Sequence, residues 1–174
     1  MAVQRAVNGA IAGGVAAAVW AAQQPLDKRV FGYEYDDVEF LGKLVTTAPT
    51  AWPVVGIGLH VQNGMVFGAA YASIRPLLPG PPVLWGFVAA MAEHAVSWPF
   101  GRVADRVHPA RGDLTPIGSS PRSLAQATWR HALFGVVLGF LEARLNDRSA
   151  DEPPPIPVES NGHGSIEHAV AAAR

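Results

Sequence analysis

A chain of 174 residues in which 49% of side chains are apolar and only 16% charged has the length of one domain, and its apolar residues are drawn into four blocks. A formal net charge of -1 offers nothing that would attract nucleic acid, and the absence of cysteine excludes disulfides, thiol catalysis and cysteine-ligated zinc or iron-sulfur centres. No G-x-S-x-G, H-E-x-x-H or phosphate-loop pattern occurs, which removes the familiar hydrolase and nucleotide chemistries.

The first apolar block, residues 6–22, is short, rich in Ala and Gly, and follows a single Arg5. A basic start, an apolar run and the small residues Val19 and Ala21 also fit a cleavable signal peptide. A retained helix is preferred, because Gly9 and Gly13 form a G-x-x-x-G pair suited to close helix contact and Trp20 stands where an interfacial anchor belongs. Residues 23–52 are expected to form a polar loop mixing Asp27, Lys28 and Arg29 with the run Tyr33, Glu34, Tyr35, Asp36 and Asp37. No calcium-loop spacing is present, so these carboxylates read as solvated, beside a short interfacial helix over 38–45.

Residues 53–75 are the stretch around which the rest is organised. At ~1.5 Å rise per residue they are long enough to cross a ~30 Å hydrocarbon core, with Arg75 as their one charge. Gly56, His60, Gly64, Phe67 and Tyr71 fall on one stripe, with Asn63 and Gly68 at its borders, so small residues and an ionisable ring face other helices. The prolines and Gly80 of residues 76–82 turn the chain back and predict an antiparallel hairpin with the third block, residues 83–101. There Gly86, Ala90, His94 and Ser97 share a face, Glu93 points about 100° away from His94, and Pro99 ends or kinks the helix.

Residues 102–122 make a second polar loop carrying Arg102, Arg106, His108 and Arg111. The fourth block, residues 123–145, has Gln126, Arg130 and His131 near its start, and its stripe holds His131, Gly135, Leu138 and Glu142. Gly135 with Gly139 adds a G-x-x-x-G pair to Gly64 with Gly68 and Gly9 with Gly13; three pairs on three helices predict a compact bundle. Residues 146–174, which include PPPIP, read as a disordered tail with a short helix over 165–174 and solvent-exposed His163 and His168. The expected fold class is therefore all-α: a four-helix transmembrane bundle in a domain over 1–145, with two polar loops and a disordered C-terminal tail.

Helices that alternate in direction would place His60, His94 and His131, each seven residues from its helix end, ~10 Å below the same membrane interface. Asn63, Glu93 and Arg130 border this layer to make an intramembrane polar cluster. Asn8, Tyr71 and Glu142 form a second polar layer towards the opposite side. Three readings of the histidines stand open: interhelical hydrogen bonding, titration near neutral pH, and ligation of a metal ion or haem by His60, His94 and His131. Arg130, if it faced the same space, would oppose a cation and favour an anionic ligand or a pairing with Glu93.

His60 with Gly64, Phe67 and Tyr71, a proline-containing turn, Leu84-Trp85, His94 followed by Pro99, and His131 with Glu142 and Arg144 together resemble the YagU-like family of small bacterial inner-membrane proteins, over residues 53–145. The resemblance implies a four-helix, multi-pass protein of the bacterial plasma membrane whose activity is poorly defined, with both termini inside. The excess of Lys and Arg in the two long loops favours the opposite orientation, and the choice stays open. The expected function is an accessory or pH-responsive membrane protein without catalysis of its own. A membrane metalloprotein or a structural subunit is the alternative, with the lipid bilayer and a second copy or membrane-complex partner as its contacts.

Overall fold

Prolines and capping side chains set where the helices begin. Pro53, Pro82 and Pro121 stand in first turns, where the missing N–H has no intrahelical partner to lose. Asp36, in an extended conformation, accepts the Glu39 N–H at 3.0 Å and caps a short helix. Ser120 and Ser123 bond to each other's backbone N–H at 3.1 and 3.2 Å, a reciprocal cap on the last helix.

The computed structural model describes residues 2–118 and 120–150, and no strand occurs among them. The helices are α1 (Ala2–Phe31), α2 (Asp37–Lys43), α3 (Trp52–Ile74), α4 (Pro82–Ser97), α5 (Gly101–Val107) and α6 (Pro121–Ala150). Single 3-10 turns lie at Arg75–Leu77 and at Trp98–Phe100, the latter where Pro99 interrupts the passage from α4 to α5.

Glycine decides which helices meet. Gly9 and Gly13 of α1 face Gly64 and Gly68 of α3 so closely that a Cβ at Gly13 would fall 2.9 Å from the Gly68 Cα and nearer still to the Gly64 carbonyl. Gly86 of α4 meets Gly135 and Gly139 of α6 in the same way, with a Cβ at Gly86 2.8 Å from the Gly139 Cα. Backbones that approach this closely gain dispersion contact along their whole length. α1 also packs on α6, so the helices lie in the spatial order α3, α1, α6, α4. The antiparallel hairpin expected of α3 and α4 is corrected here: the two follow one another in the chain but hardly touch, because each is held by glycines to a different partner.

Large apolar side chains are exposed while several charged and amide side chains are buried. The apolar core is small, with Ala12, Ala16, Ala17, Trp20, Tyr71, Ala90, Phe134 and Leu138, while Arg130, Asp27, Gln126 and Glu142 are at most 1% exposed. Val3, Val7, Ile11, Val15 and Val19 form an exposed i, i+4 stripe along α1; Val54, Ile57 and Val66 on α3, Phe87 and Val88 on α4, and Val136 and Phe140 on α6 also face outward. Among the described residues α1 alone is long and apolar enough to cross a membrane by length and composition, and a signal sequence near an N-terminus has the same features.

Several boundaries differ from expectation: the helix of the third block ends at Ser97 rather than residue 101, and α5 occupies the start of the expected second polar loop. α1 runs nine residues beyond the first apolar block, through Pro25, because Gln24 and Asp27 are buried against other elements rather than left in a polar loop. α6 continues past residue 145 because Asn146, 4% exposed, bonds Glu142 at 2.8 Å, so the start of the expected tail is helix. The remainder of that tail, with the helix over 165–174, His163 and His168, lies outside the described residues.

Candidate functional site

The most deeply buried charges lie where α1, α2 and α6 converge. Arg130 donates from Nε and Nη2 to the two oxygens of Asp27, both at 2.6 Å, from Nη1 to Asp37 at 2.7 Å, and from Nη2 to the Tyr35 carbonyl at 3.1 Å. Gln126 and Gln23 donate to Asp27 at 2.7 and 2.6 Å, and the Trp20 indole donates to Asp37 at 2.8 Å. Tyr35 donates its hydroxyl to the other Asp37 oxygen; burial first, and then the Asp37 charge, push its pKa well up, so the proton stays on the phenol. At the edge of this network Asp36 pairs with Lys28 at 2.6 Å. Burial pushes the Asp36 carboxyl up, but the bonds from Lys28 and the Glu39 N–H outweigh it and hold the pKa below the ordinary aspartate range.

These contacts correct three expectations. The run from Tyr33 to Asp37 is not a solvated loop: Tyr35 is 6% exposed and Asp37 is tied to three partners. Trp20 is not an interfacial anchor but a buried ring, 8% exposed. Arg130 pairs with Asp27 and Asp37, not with Glu93, and does not line the cleft described next.

Because α3 and α4 separate, a cleft of about 710 Å³ opens between them, floored by α1 and α6 and bordered by α2 and the start of α5. His60, Asn63, Glu93, His94 and His131 all line it. The His94 and His131 rings lie 4.5 Å apart, and Trp20 makes edge-on contacts with His60 at 5.3 Å and with His131 at 4.7 Å. Beyond the cleft, Tyr71 donates to the Pro82 carbonyl at 2.6 Å and ties the end of α3 to the start of α4.

Partner chemistry fixes the imidazole protons. His60 Nε2 faces the Ala17 carbonyl at 3.1 Å, so it donates. His94 Nε2 faces Thr128 Oγ1 at 3.0 Å; that hydroxyl already donates to the Leu124 carbonyl, so His94 donates as well. His131 Nδ1 donates to the Ala127 carbonyl at 2.7 Å, while Nε2 lies 2.9 Å from Glu93 Oε2. Both nitrogens of His131 thus face oxygen acceptors, and a proton lies between Nε2 and Oε2, whichever atom owns it. Without that proton two lone pairs would confront each other at 2.9 Å.

The expected ligand set of His60, His94 and His131 is not assembled: His60 and His131 each pack against the Trp20 ring, and among the described residues no three His, Asp or Glu side chains are placed to hold a metal ion. Of the second polar layer, Glu142 accepts from Arg5 at 3.0 Å and from Asn146, and Asn8 donates to Asn146 at 3.1 Å. Tyr71 is directed to Pro82 instead, so the three residues do not form one layer. His108, buried after α5, bonds the Phe40 carbonyl at 3.0 Å and the Ala110 N–H at 3.1 Å, and fastens that loop to α2.

Sequence reasoning passed over Asp27, Tyr35, Asp37 and Gln126. The signal was present: Trp20, Gln23, Gln24 and Asp27 continue one face of α1 at spacings of three and four, and Gln126 lies four residues before Arg130. The chain matches no protein-family model, no curated protein and no solved structure.

Proposed function

We propose that the chain is a multi-pass membrane protein in which α1, α3, α4 and α6 each enter the bilayer, and that it responds to protons through the pair Glu93 and His131 without catalysis of its own. The burial pattern supports the membrane reading: apolar side chains face outward on every long helix, while guanidinium, carboxylate and amide groups face inward. His60 turns inward and Asn63 lines the cleft, so of the polar residues in the middle of α3 Gln62 is the one that faces outward away from the cleft. α4 alone gives ~24 Å of rise, and the turn at Pro99 carries it on into α5. A place in the bacterial inner membrane is part of the same proposal.

The observation that carries the functional reading is the 2.9 Å contact between His131 Nε2 and Glu93 Oε2. Glu93 is on α4 and His131 on α6, so the proton between them bridges two helices at the edge of the cleft. Loss of it sets like lone pairs together; charging His94 as well would set two cations 4.5 Å apart. Either change alters the charge and hydrogen bonding of the cleft wall where α4 meets α6.

Three experiments test this. The chain has no cysteine, so single cysteines report freely: at Ile11, Met65 and Val88 they should resist aqueous maleimide in membranes, and at Thr47 and Arg111 they should react. Labelling at all five sites would overturn the membrane reading. Nitrogen-15 NMR of labelled histidine, with His131→Gln to assign the ring, should show Nδ1 protonated and an Nε2 signal that Glu93→Gln displaces. A pH dependence of the fluorescence of Trp20, whose ring lies 4.7 Å from that of His131, that survives His131→Gln unchanged would refute the proton response.

A further inference from the structure

The polar groups on the cleft wall have a chemical bias. The donors of Trp20, Tyr35, Ser97, His60, His94 and His131 all end on acceptors of the protein itself: Trp20 and Tyr35 on Asp37, Ser97 on the His94 carbonyl, and the imidazoles on Ala17, Thr128, Ala127 and Glu93. What remains is largely acceptor capacity. In the neutral rings Nδ1 of His60 and of His94 carries a lone pair with no protein partner among the described residues, and Glu93 Oε1 accepts whether or not its twin oxygen holds the shared proton. The remaining donors on the wall are the Asn63 amide and the Trp98 indole N–H.

The charges beside these acceptors are already matched. Asp37 is paired with Arg130, and Glu93 with the proton it shares with His131. A cation entering the cleft would lose its hydration without meeting an unpaired anion, which is unfavourable. A neutral ligand that supplies its own hydrogen-bond donors meets no such penalty. The rest of the wall is aromatic and aliphatic: Phe67 and Phe134 meet edge to face at 5.5 Å, Trp20 packs on Phe134, and Leu41, Val66 and Ile117 add to the lining, a surface suited to a flat ring and a short apolar chain.

We propose that this cleft binds a neutral hydroxyaromatic amphiphile, of the hydroquinone or alkylphenol class, whose hydroxyls donate to His60, His94 and Glu93 while its ring lies against Trp20, Phe67 and Phe134. The proposal rests on the membrane reading above for the route of entry, since the gap between α3 and α4 opens sideways, into what would be the lipid phase. It does not need the proton response.

The test is calorimetric titration of the full chain in lipid nanodiscs with decylhydroquinone, its dimethyl ether and decylamine. Decylhydroquinone should saturate one site per chain, and the ether, which keeps the ring and tail but donates nothing, should bind at least ~10-fold more weakly, the loss expected for one or two hydrogen bonds. His60→Phe or His94→Phe should weaken the hydroquinone by a similar factor and leave the ether unchanged. If either variant fails to fold, the wild-type comparison of hydroquinone with ether decides alone. Equal affinity for the ether, tighter binding of the amine, or no saturable site would overturn the proposal. Cysteine labelling and histidine NMR involve none of these ligands, so failure here and failure of the membrane or proton reading are distinguishable.

Discussion

Arg130→Met removes the charge at the centre of the α1, α2 and α6 junction while keeping most of the side chain's bulk. Arg130 is fully buried, and four donated bonds, two of them to Asp27, end with it. Asp27, 1% exposed, would keep only the amides of Gln23 and Gln126, and Asp37 only Trp20 and Tyr35. Removing one member of a buried ion pair strands the other, at ~3–5 kcal/mol, or roughly 6–20 °C in Tm for a chain of this size. Adding Asp27→Asn and Asp37→Asn removes the stranded charges, and the triple variant should recover most of the loss, because a satisfied neutral network of similar volume replaces an ionic one. Thermal unfolding in detergent, followed by circular dichroism, measures all three proteins. A single variant within ~1 kcal/mol of wild type, or a triple variant no better than the single, would refute the claim that these charges depend on one another.

Gly58 has nothing within 4 Å of where its Cβ would stand, so Gly58→Ala should stabilise α3 by ~0.5–1 kcal/mol through helix propensity. The same change at Gly13 or Gly86 drives a methyl into backbone and should destabilise by ~1–3 kcal/mol or more; matched unfolding curves read the opposite signs. Trp20→Phe keeps the ring contacts but leaves an Asp37 oxygen without its indole donor, and should cost ~1.5–3 kcal/mol in the same assay. Asp36→Ala removes a cap and the Lys28 pair and should cost ~1–2 kcal/mol at neutral pH. Because the folded pKa of Asp36 is depressed, its contribution is complete above the ordinary aspartate pKa and is lost as pH falls through the folded value, so the gap between wild type and variant should close below about pH 4.

The glycine pairs were legible in the sequence because close backbone approach needs small residues at a fixed spacing, and four-residue spacing survives any choice of partner. Their pairing was not: nothing in Gly64 and Gly68 says that Gly9 and Gly13, rather than Gly86, will face them. A short connection after Arg75 suggested that α3 and α4 pack together, yet a tight turn constrains only the ends it joins. His60, His94 and His131 could be placed on inward faces by helical periodicity, since each shares a stripe with glycine or alanine. The proton between Glu93 and His131 was hidden because a helical wheel compares residues within one helix, and that contact is made between two. Asp27 and Asp37 were masked by their setting among exposed charges; composition reads a carboxylate in a polar run as hydrated and has no access to the arginine that meets it from α6.

The arrangement of helices resembles an open book. α1 with α3 makes one cover, α6 with α4 the other, and the α1 and α6 seam is the spine. Stiff covers and a narrow spine concentrate any change of shape in the angle between them, and the Tyr71 hydroxyl on the Pro82 carbonyl is a clasp set at the fore-edge. Releasing the clasp with Tyr71→Phe would leave every glycine contact in place and widen the pages, so breathing of this protein should be sought as rotation of two rigid halves and not as unwinding of any helix.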